Sequence, residues 1–197
     1  VQDYTVMRVL GGTRDDAAGE AFDKVARVMG IGYPGGVKID ALSREGDDTR
    51  YQLPRAAVKD APLDFSFSGL KTAVINLVHH AGQKGEELDK AGLAASFSAA
   101  VSETLTSRLA LAIRETGSRV VVCAGGVAAN SRLRRDLSAM AGQEGVRLYL
   151  PPVDLCGDNA AMIGSQGYYE FLAGNTGTTW QNAYATADIC ENISKKS

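Results

Sequence analysis

The sequence predicts an α/β fold, and three observations carry that prediction. Two apolar runs, Val120–Ala124 and Val146–Leu150, have the composition of short buried strands. Each run follows a segment with helical periodicity, and each ends in residues that stop a strand, Gly125-Gly126 or Pro151-Pro152. This alternation predicts a parallel pair with a right-handed crossover, and a ligand site at the carboxyl ends of the strands.

Composition fits a soluble globular protein and excludes several classes. The chain has 197 residues, 45% hydrophobic and 22% charged, with a formal net charge of −2. No apolar run is long enough to cross a bilayer and no signal peptide opens the chain, so we expect a cytoplasmic protein without a membrane partner. Cys123, Cys156 and Cys190 show no paired spacing and are predicted to be reduced thiols.

The first third of the chain predicts a strand followed by two helices. Tyr4–Leu10 has strand character, and a helix is expected from Asp15-Asp16 to a stop at Gly30. The sequence of Gly32–Gly36 predicts a rigid loop with an exposed backbone. A second helix is expected over about Ile39–Arg44.

The middle of the chain predicts two further helices. One begins after the alternating stretch Asp64–Thr72 and extends to about Val78, with a break at Gly82–Gly85. The other is the longest, from Leu88 to about Glu115, and Gly117 ends it. Its apolar side chains recur every four residues, which predicts a buried core stripe rather than a cofactor surface; they are Leu93, Phe97, Val101, Leu105 and Leu109.

The end of the chain predicts one more helix and a tail. The helix begins near Asp158 and ends at about Leu172. Beyond Gly174 the residues are mostly polar, with a lone Trp180. We therefore expect a folded region over residues 1–173 and a C-terminal tail over residues 174–197.

The turn after the first predicted buried strand is the main candidate for ligand binding. Gly125 and Gly126 lack Cβ atoms, and Asn130 is predicted to cap a helix that buries Leu133, Leu137 and Met140. Unpaired peptide N–H groups at such a helix start can hold an anion or a nucleotide. The alternative is a plain turn between a strand and a helix.

A carboxylate and a basic cluster each have two interpretations. Asp158 follows the second strand, where it could cap the next helix or supply one carboxylate to a metal. Arg132, Arg134 and Arg135 could contact RNA locally or form a solvated helix face. The adjacent His79 and His80 point about 100° apart on a helix, so we expect surface residues rather than a chelating pair.

Several reaction classes lack their motifs. The sequence contains no G-x-x-x-x-G-K-[ST] loop and no G-x-S-x-G turn. With two adjacent histidines only, a Ser-His-Asp hydrolase is not supported.

Five sequence blocks together resemble the TsaD family of tRNA adenosine threonylcarbamoyltransferases, in its order and approximate spacing, most closely its bacterial branch. They are DDAAGEAFDK (15–24), YPGG (33–36), LDFSFSGLKT (63–72), AGGVAAN (124–130) and CGDNAAMI (156–163). The resemblance covers about residues 4–172 and implies an actin-like ATPase-domain fold of two lobes. This chain would supply mainly the second lobe, a mixed sheet flanked by helices.

The resemblance also implies a reaction. Members transfer a threonylcarbamoyl group from threonylcarbamoyl-AMP to N6 of the adenosine 3′ of the anticodon, in tRNAs that read codons starting with A. Implied partners are tRNA and the TsaB-like and TsaE-like proteins of the same pathway. We expect the isolated chain to be inactive, since two histidines of an H-x-x-x-H helix in the first lobe complete the family's metal site.

The resemblance assigns roles to individual residues. The adenylate would be held by Asp23, Gly36, Asp40, Gly125, Gly126 and Asn130. Asp158 would be one ligand of a divalent metal, iron or zinc, that polarises the carbamoyl carbonyl. The alternatives are a non-catalytic nucleotide-binding or scaffold module of the same superfamily, and an actin-fold kinase of small molecules.

Overall fold

The computed structural model describes residues 1–55 and 57–180, which form two compact units. The larger unit spans Gly11–Gly157, and the smaller combines Val1–Leu10 with residues 158–180. The elements of the larger unit are α1 (Ala18–Val28), α2 (Gly35–Ser43), α3 (Ser68–Lys84), α4 (Lys90–Thr116), β1 (Val120–Val122), α5 (Ser131–Glu144) and β2 (Arg147–Tyr149). Short 3₁₀ helices cover Gly126–Ala129 and Val153–Leu155.

The predicted α/β class is confirmed by a small parallel sheet. β1 pairs with β2 in register Val120 with Arg147, Val121 with Leu148 and Val122 with Tyr149, and α5 makes the crossover. The predicted burial of the whole first strand is wrong, because only Val121 is buried while Val120 and Val122 are exposed. Successive side chains of a strand point to opposite faces, and only one face packs on α4 and α5.

Helix α1 begins three residues later than the acidic pair predicts. The Asp15 carboxylate instead accepts hydrogen bonds from the N–H groups of Phe67 (2.8 Å) and Ser68 (3.3 Å) at the start of α3. The Asp16 carboxylate forms ion pairs with Lys24 and Lys71. These acids therefore tie the start of α1 to α3 rather than beginning a helix.

Helix α2 begins earlier than predicted, at Gly35 instead of about Ile39. Its first N–H group has an acceptor from another helix, since Gly35 N donates to Asp23 Oδ1 at 2.8 Å. A Cβ on Gly35 would lie 2.7 Å from Ala26 Cβ, so glycine allows α1 and α2 to approach closely.

The long helix α4 confirms its prediction within about two residues at each end. Leu93, Phe97 and Val101 are buried in the main core, together with Phe22 and Val25 of α1. Asp89 caps its start by accepting from Gly92 N at 2.8 Å. The predicted core stripe is confirmed for its first three residues, while Leu105 and Leu109 are partly buried against the core.

The neighbouring helix α3 is longer than predicted. It passes through Gly82 and ends at Gly85, which has a positive φ of 66°. The break predicted over Gly82–Gly85 is confirmed at its last residue, Gly85, where the left-handed conformation favours glycine. His79 and His80 are exposed on this helix, as predicted.

In the smaller unit the strand predicted over Tyr4–Leu10 is wrong. Only an isolated bridge joins Asp3 and Val6, and no described strand pairs with this segment. Tyr4 instead stacks on Tyr169 with ring centroids 3.6 Å apart. The segment thus makes side-chain contacts in place of strand hydrogen bonds.

The helix α6 (Ala160–Leu172) confirms the last predicted helix. Asn159 caps it by accepting from Met162 N at 3.0 Å, so the interpretation of Asp158 as the cap is wrong. None of the described helices is both long and apolar enough to cross a membrane. Of the predicted tail, residues 181–197, including Cys190, lie outside the described residues.

Substituting Gly35 by alanine should destabilise the protein. The added Cβ would lie 2.7 Å from Ala26 Cβ and from Asp23 Cα, and such overpacking costs about 1 to 3 kcal/mol. Gly36→Ala is the matched control, because its Cβ would meet nothing closer than Phe22 Cβ at 4.0 Å. Urea unfolding of both variants measures the difference, and equal stability would contradict the close approach of α1 and α2.

Acid should weaken the Asp15 contact. Burial by itself raises the pKa of Asp15, but hydrogen bonds from Ser66, Phe67 and Ser68 outweigh it and lower the pKa to about 2. A carboxyl with a depressed pKa stabilises the fold above its ordinary value near 3.8, and this stability is lost as pH falls toward 2. Because Asp15 is exposed, solvent screening limits the effect to about 1 kcal/mol.

The free energy of unfolding of Asp15→Asn, measured between pH 7 and pH 2, tests this contact. We expect Asp15→Asn to be less stable than the parent at pH 7 and to match it near pH 2. Asp60→Asn removes an exposed carboxylate elsewhere and serves as control. A constant difference across the pH range would contradict the proposed contribution of the Asp15 charge.

Candidate functional site

A pocket of about 550 Å³ lies in the larger unit, between α1, α2 and the start of α5. Its walls are mostly apolar and include Phe22, Pro34, Val37, Val127 and Val153. Its polar residues are Asp23, Asp40, Arg44, Asn130, Ser131 and Arg134. Such a combination, mostly apolar with a few placed polar groups, is typical of small-molecule sites.

The structure brings most of the sequence-predicted site residues together. Asp23, Gly36, Asp40, Gly126 and Asn130 all line this pocket, although up to 107 positions separate them in sequence. Gly125 directly precedes the lining residue Gly126. Asp158 belongs to the smaller unit, and its role at this pocket stays a prediction.

Asp23 has both a structural contact and a free acceptor. Its Oδ1 accepts from Gly35 N, which fixes the start of α2, and its Oδ2 makes no hydrogen bond with the described residues. One oxygen therefore holds the pocket wall while the other can accept from a ligand hydroxyl.

Asp40 connects α2 to α5. Only 8% of its surface is exposed. Its Oδ1 accepts from the N–H and the hydroxyl of Ser131, both at 2.8 Å, and its Oδ2 accepts from Arg44 Nη2 at 2.7 Å. The carboxylate thereby satisfies a peptide N–H group at the start of α5, and direct contact with a ribose stays a prediction.

Asn130 caps α5 as predicted. Its Oδ1 accepts from Leu133 N at 2.9 Å. Its Nδ2 is buried and has no hydrogen-bond partner among the described residues. An amide whose oxygen is fixed and whose NH₂ group is unpaired has two donors left for a bound molecule.

The Gly-Gly turn differs from the simple helix start that the sequence suggests. Gly125 has φ 89° and ψ 167°, a conformation that favours glycine, and a 3₁₀ helix over Gly126–Ala129 separates it from α5. At α5 itself, the N–H groups of Ser131 and Leu133 already bond to Asp40 and Asn130. Two of the N–H groups at the start of α5 are therefore engaged by the protein's own side chains rather than open to an anion.

Sequence reasoning missed the role of Arg134. Its guanidinium donates to Ala128 O at 2.9 Å and to Pro151 O at 3.0 Å. It thus joins the 3₁₀ helix that lines the pocket to the turn after β2. Arg132 forms ion pairs with Asp48 and Asp136, so the interpretation of a solvated helix face is wrong for Arg132 and Arg134.

The Cys123 thiol near the turn is not activated as a nucleophile. Burial raises the pKa of the Cys123 thiol, which keeps it protonated at neutral pH. Cys123 and Cys156 are both free thiols, in agreement with their prediction as reduced.

The described residues do not form a metal centre. Over residues 1–55 and 57–180, no group of three or more His, Cys, Asp or Glu side chains is placed to hold an ion. A divalent metal is usually held by several such ligands. Asp158 can therefore be at most one ligand of a larger set.

Comparison with known proteins identifies the relatives of this chain. The model of the TsaD family, tRNA N6-adenosine threonylcarbamoyltransferase, matches residues 1–165. The chain is 54% identical over 172 residues to the tRNA N6-adenosine threonylcarbamoyltransferase of Moorella thermoacetica, covering 87% of this chain and 50% of that protein. It is 48% identical over 191 residues to the enzyme of that name from Clostridium botulinum strain Kyoto, covering 97% and 56%. The chain spans about half the length of these curated relatives.

Two substitutions of Asn130 test whether its side-chain oxygen caps α5. Asn130→Ala removes the cap of α5 and should lower the free energy of unfolding by about 1 kcal/mol. Asn130→Ser keeps a neutral capping oxygen that can accept from Leu133 N and should be close to the parent in stability. Denaturant titration of both variants measures the cap alone, and equal destabilisation of the two would contradict the cap assignment.

Proposed function

Because the chain belongs to the TsaD family of tRNA N6-adenosine threonylcarbamoyltransferases, we propose that its pocket holds the adenylate part of threonylcarbamoyl-AMP. The reaction is transfer of the threonylcarbamoyl group to N6 of the adenosine 3′ of the anticodon, in tRNAs reading A-starting codons. The observation that carries the proposal is the convergence of Asp23, Gly36, Asp40, Gly126 and Asn130 on one pocket. Since the chain spans about half of its relatives, we assign the activity to the intact protein and expect the isolated chain to be inactive.

The pocket suits an adenylate in size and chemistry. Its volume of about 550 Å³ lies within the range of ligand sites, roughly 300 to 1,000 Å³. The apolar side chains of Phe22, Val37 and Val127 offer contacts for a flat base. The unpaired Nδ2 of Asn130 can donate to a base or sugar acceptor, and Asp23 Oδ2 can accept from a ribose hydroxyl.

These residues contribute binding and orientation to the proposed transfer. The N6 amine of adenosine attacks the carbamoyl carbon, the bond from that carbon to the phosphate oxygen breaks, AMP leaves, and the nitrogen loses a proton. Holding the adenylate against the walls of the pocket places its carbonyl at a fixed position for that attack. Such fixed placement lowers the entropic part of the barrier.

The metal of the family is a separate part of the proposal. A divalent ion, iron or zinc, would take Asp158 as one ligand and supply polarisation of the carbonyl when bound. The residues described do not fit a complete site, since no further ligands are grouped among them. No step of the transfer is therefore assigned to residues of this chain through a metal.

The same family membership supports a wider proposal on architecture and partners. We infer an actin-like fold of two lobes, of which residues 1–173 form mainly the second, followed by a tail over residues 174–197. The partners would be tRNA and TsaB-like and TsaE-like proteins, in the cytoplasm. The α/β character and parallel sheet of the larger unit support this architecture.

Asn130→Asp should impair the intact protein without unfolding it. The change replaces the unpaired NH₂ group by a negative oxygen, which removes two donors and repels the adenylate phosphate. We expect binding of a non-hydrolysable threonylcarbamoyl-adenylate analogue to weaken about tenfold or more, equivalent to roughly 1.4 kcal/mol. Calorimetry measures binding, and nucleoside analysis of tRNA incubated with the partner proteins measures transfer.

Gln143→Glu is the matched control, because it makes the same amide-to-acid change on the exposed side of α5. It should leave both binding and transfer unchanged. Parent-like binding by Asn130→Asp would contradict the adenylate pocket. Analogue binding by the parent without any modified adenosine would favour the non-catalytic nucleotide-binding module over the transferase.

A further inference from the structure

A second cavity of about 720 Å³ lies in the larger unit, next to the adenylate pocket. It is formed by the end of α2, the loop after it, α4 and the start of α5. We call it the Ser98 pocket; residues of its wall include Arg44, Asp48, Ser98, Ser131, Arg132 and Arg135. Arg44 and Ser131 line both cavities, so the two share a wall.

Ser98 is the first sign that this cavity takes a ligand. It lies on α4 with 2% of its surface exposed, and its hydroxyl has no hydrogen-bond partner among the described residues. Other buried hydroxyls of α4 are paired: Ser96 accepts from Tyr51 N, and Ser102 donates to Asp136. A buried hydroxyl without a partner is costly, so a ligand oxygen that paired with it in this cavity would be bound favourably.

The charges of the wall favour an anion. The carboxylates that line it are already engaged, since Asp48 pairs with Arg132 and Asp47 accepts from Thr49 N at 2.8 Å. Among the described residues, Arg135 donates only through Nε, to Asp136 at 3.1 Å, and its side chain is 66% exposed. Its two terminal nitrogens are therefore available, and a guanidinium fork matches the oxygens of a phosphate.

We propose that the Ser98 pocket binds a backbone phosphate of the tRNA substrate through Arg135 and Ser98. This inference rests on the proposed function, because the adenosine that receives the group must reach the adjacent adenylate pocket. The net charge of −2 provides no general attraction to RNA. The contribution of this chain to RNA affinity must then come from local phosphate contacts of this kind.

The test measures RNA affinity of the intact protein without adenylate, using a fluorescent anticodon stem-loop at several salt concentrations. We expect Arg135→Gln to weaken binding about tenfold and to reduce the salt slope by about 1. Ser98→Ala should weaken it about three- to tenfold with the melting temperature unchanged or higher. Arg119→Gln removes an exposed arginine outside the pocket and should change neither quantity.

The outcomes separate this site from its alternatives. Inorganic phosphate at matched ionic strength should displace the RNA from the parent protein and more weakly from Arg135→Gln. Parent-like RNA affinity in both pocket variants would overturn the proposal, as would an effect of Arg135→Gln without one of Ser98→Ala. If both pocket variants lose binding of inorganic phosphate, measured by calorimetry, but keep their RNA affinity, the site binds free phosphate instead. The RNA-binding assay contains no adenylate, so its results can still be interpreted if the transferase proposal fails.

Discussion

The Asp40 carboxylate is the contact on which both cavities depend. It joins the end of α2 to the start of α5, 91 positions later in the chain, through both polar atoms of Ser131 and through Arg44. Ser131 and Arg44 lie on the wall between the cavities. A buried carboxylate is costly unless its oxygens are hydrogen-bonded, and here that requirement fixes the spacing of the two helices. The geometry of each pocket thus follows from satisfying one charge.

Carboxylates elsewhere in the larger unit act in the same way. Each accepts a hydrogen bond from a peptide N–H group at the start of a helix that lies far from it in sequence. Asp23 completes the start of α2, Asp15 that of α3, and Asp40 that of α5. The first peptide groups of any helix lack internal acceptors, so each such carboxylate stabilises an end and also sets where a neighbouring helix lies. The residues proposed to bind the adenylate are therefore partly structural residues as well.

The sequence predicts what depends on neighbouring residues. The limits of α4, the parallel strands and the cap at Asn130 follow from periodicity and from local hydrogen-bonding capacity, and all are present. The strand expected over Tyr4–Leu10 fails because a strand needs a partner, and Tyr4 stacks on Tyr169 instead. The start of α1 is misjudged because Asp15 serves α3, a contact across 52 positions that composition cannot reveal.

The same distinction applies to the candidate site. The motifs identify Asp23, Gly36 and Asn130, and the structure brings them together. From the sequence, Arg134 is either a local RNA contact or part of a solvated helix face, because nothing near it in the chain indicates bonds to Ala128 and Pro151. Carbonyl acceptors belong to every residue, so a side chain that binds them leaves no signature in a single sequence.

Arg44 links the two cavities, because its side chain lines both of them. One guanidinium contributes to the walls of two cavities, and its position is fixed by Asp40 and by Ser131 Oγ at 3.3 Å. A ligand that shifts Arg44 in one cavity changes the shape of the other. If a ligand in one cavity changes the affinity of the other cavity by some factor, thermodynamic linkage requires that a ligand in the second change the affinity of the first by the same factor. Any cooperativity between the two proposed sites would therefore act through the side chains of their shared wall, Arg44 and Ser131.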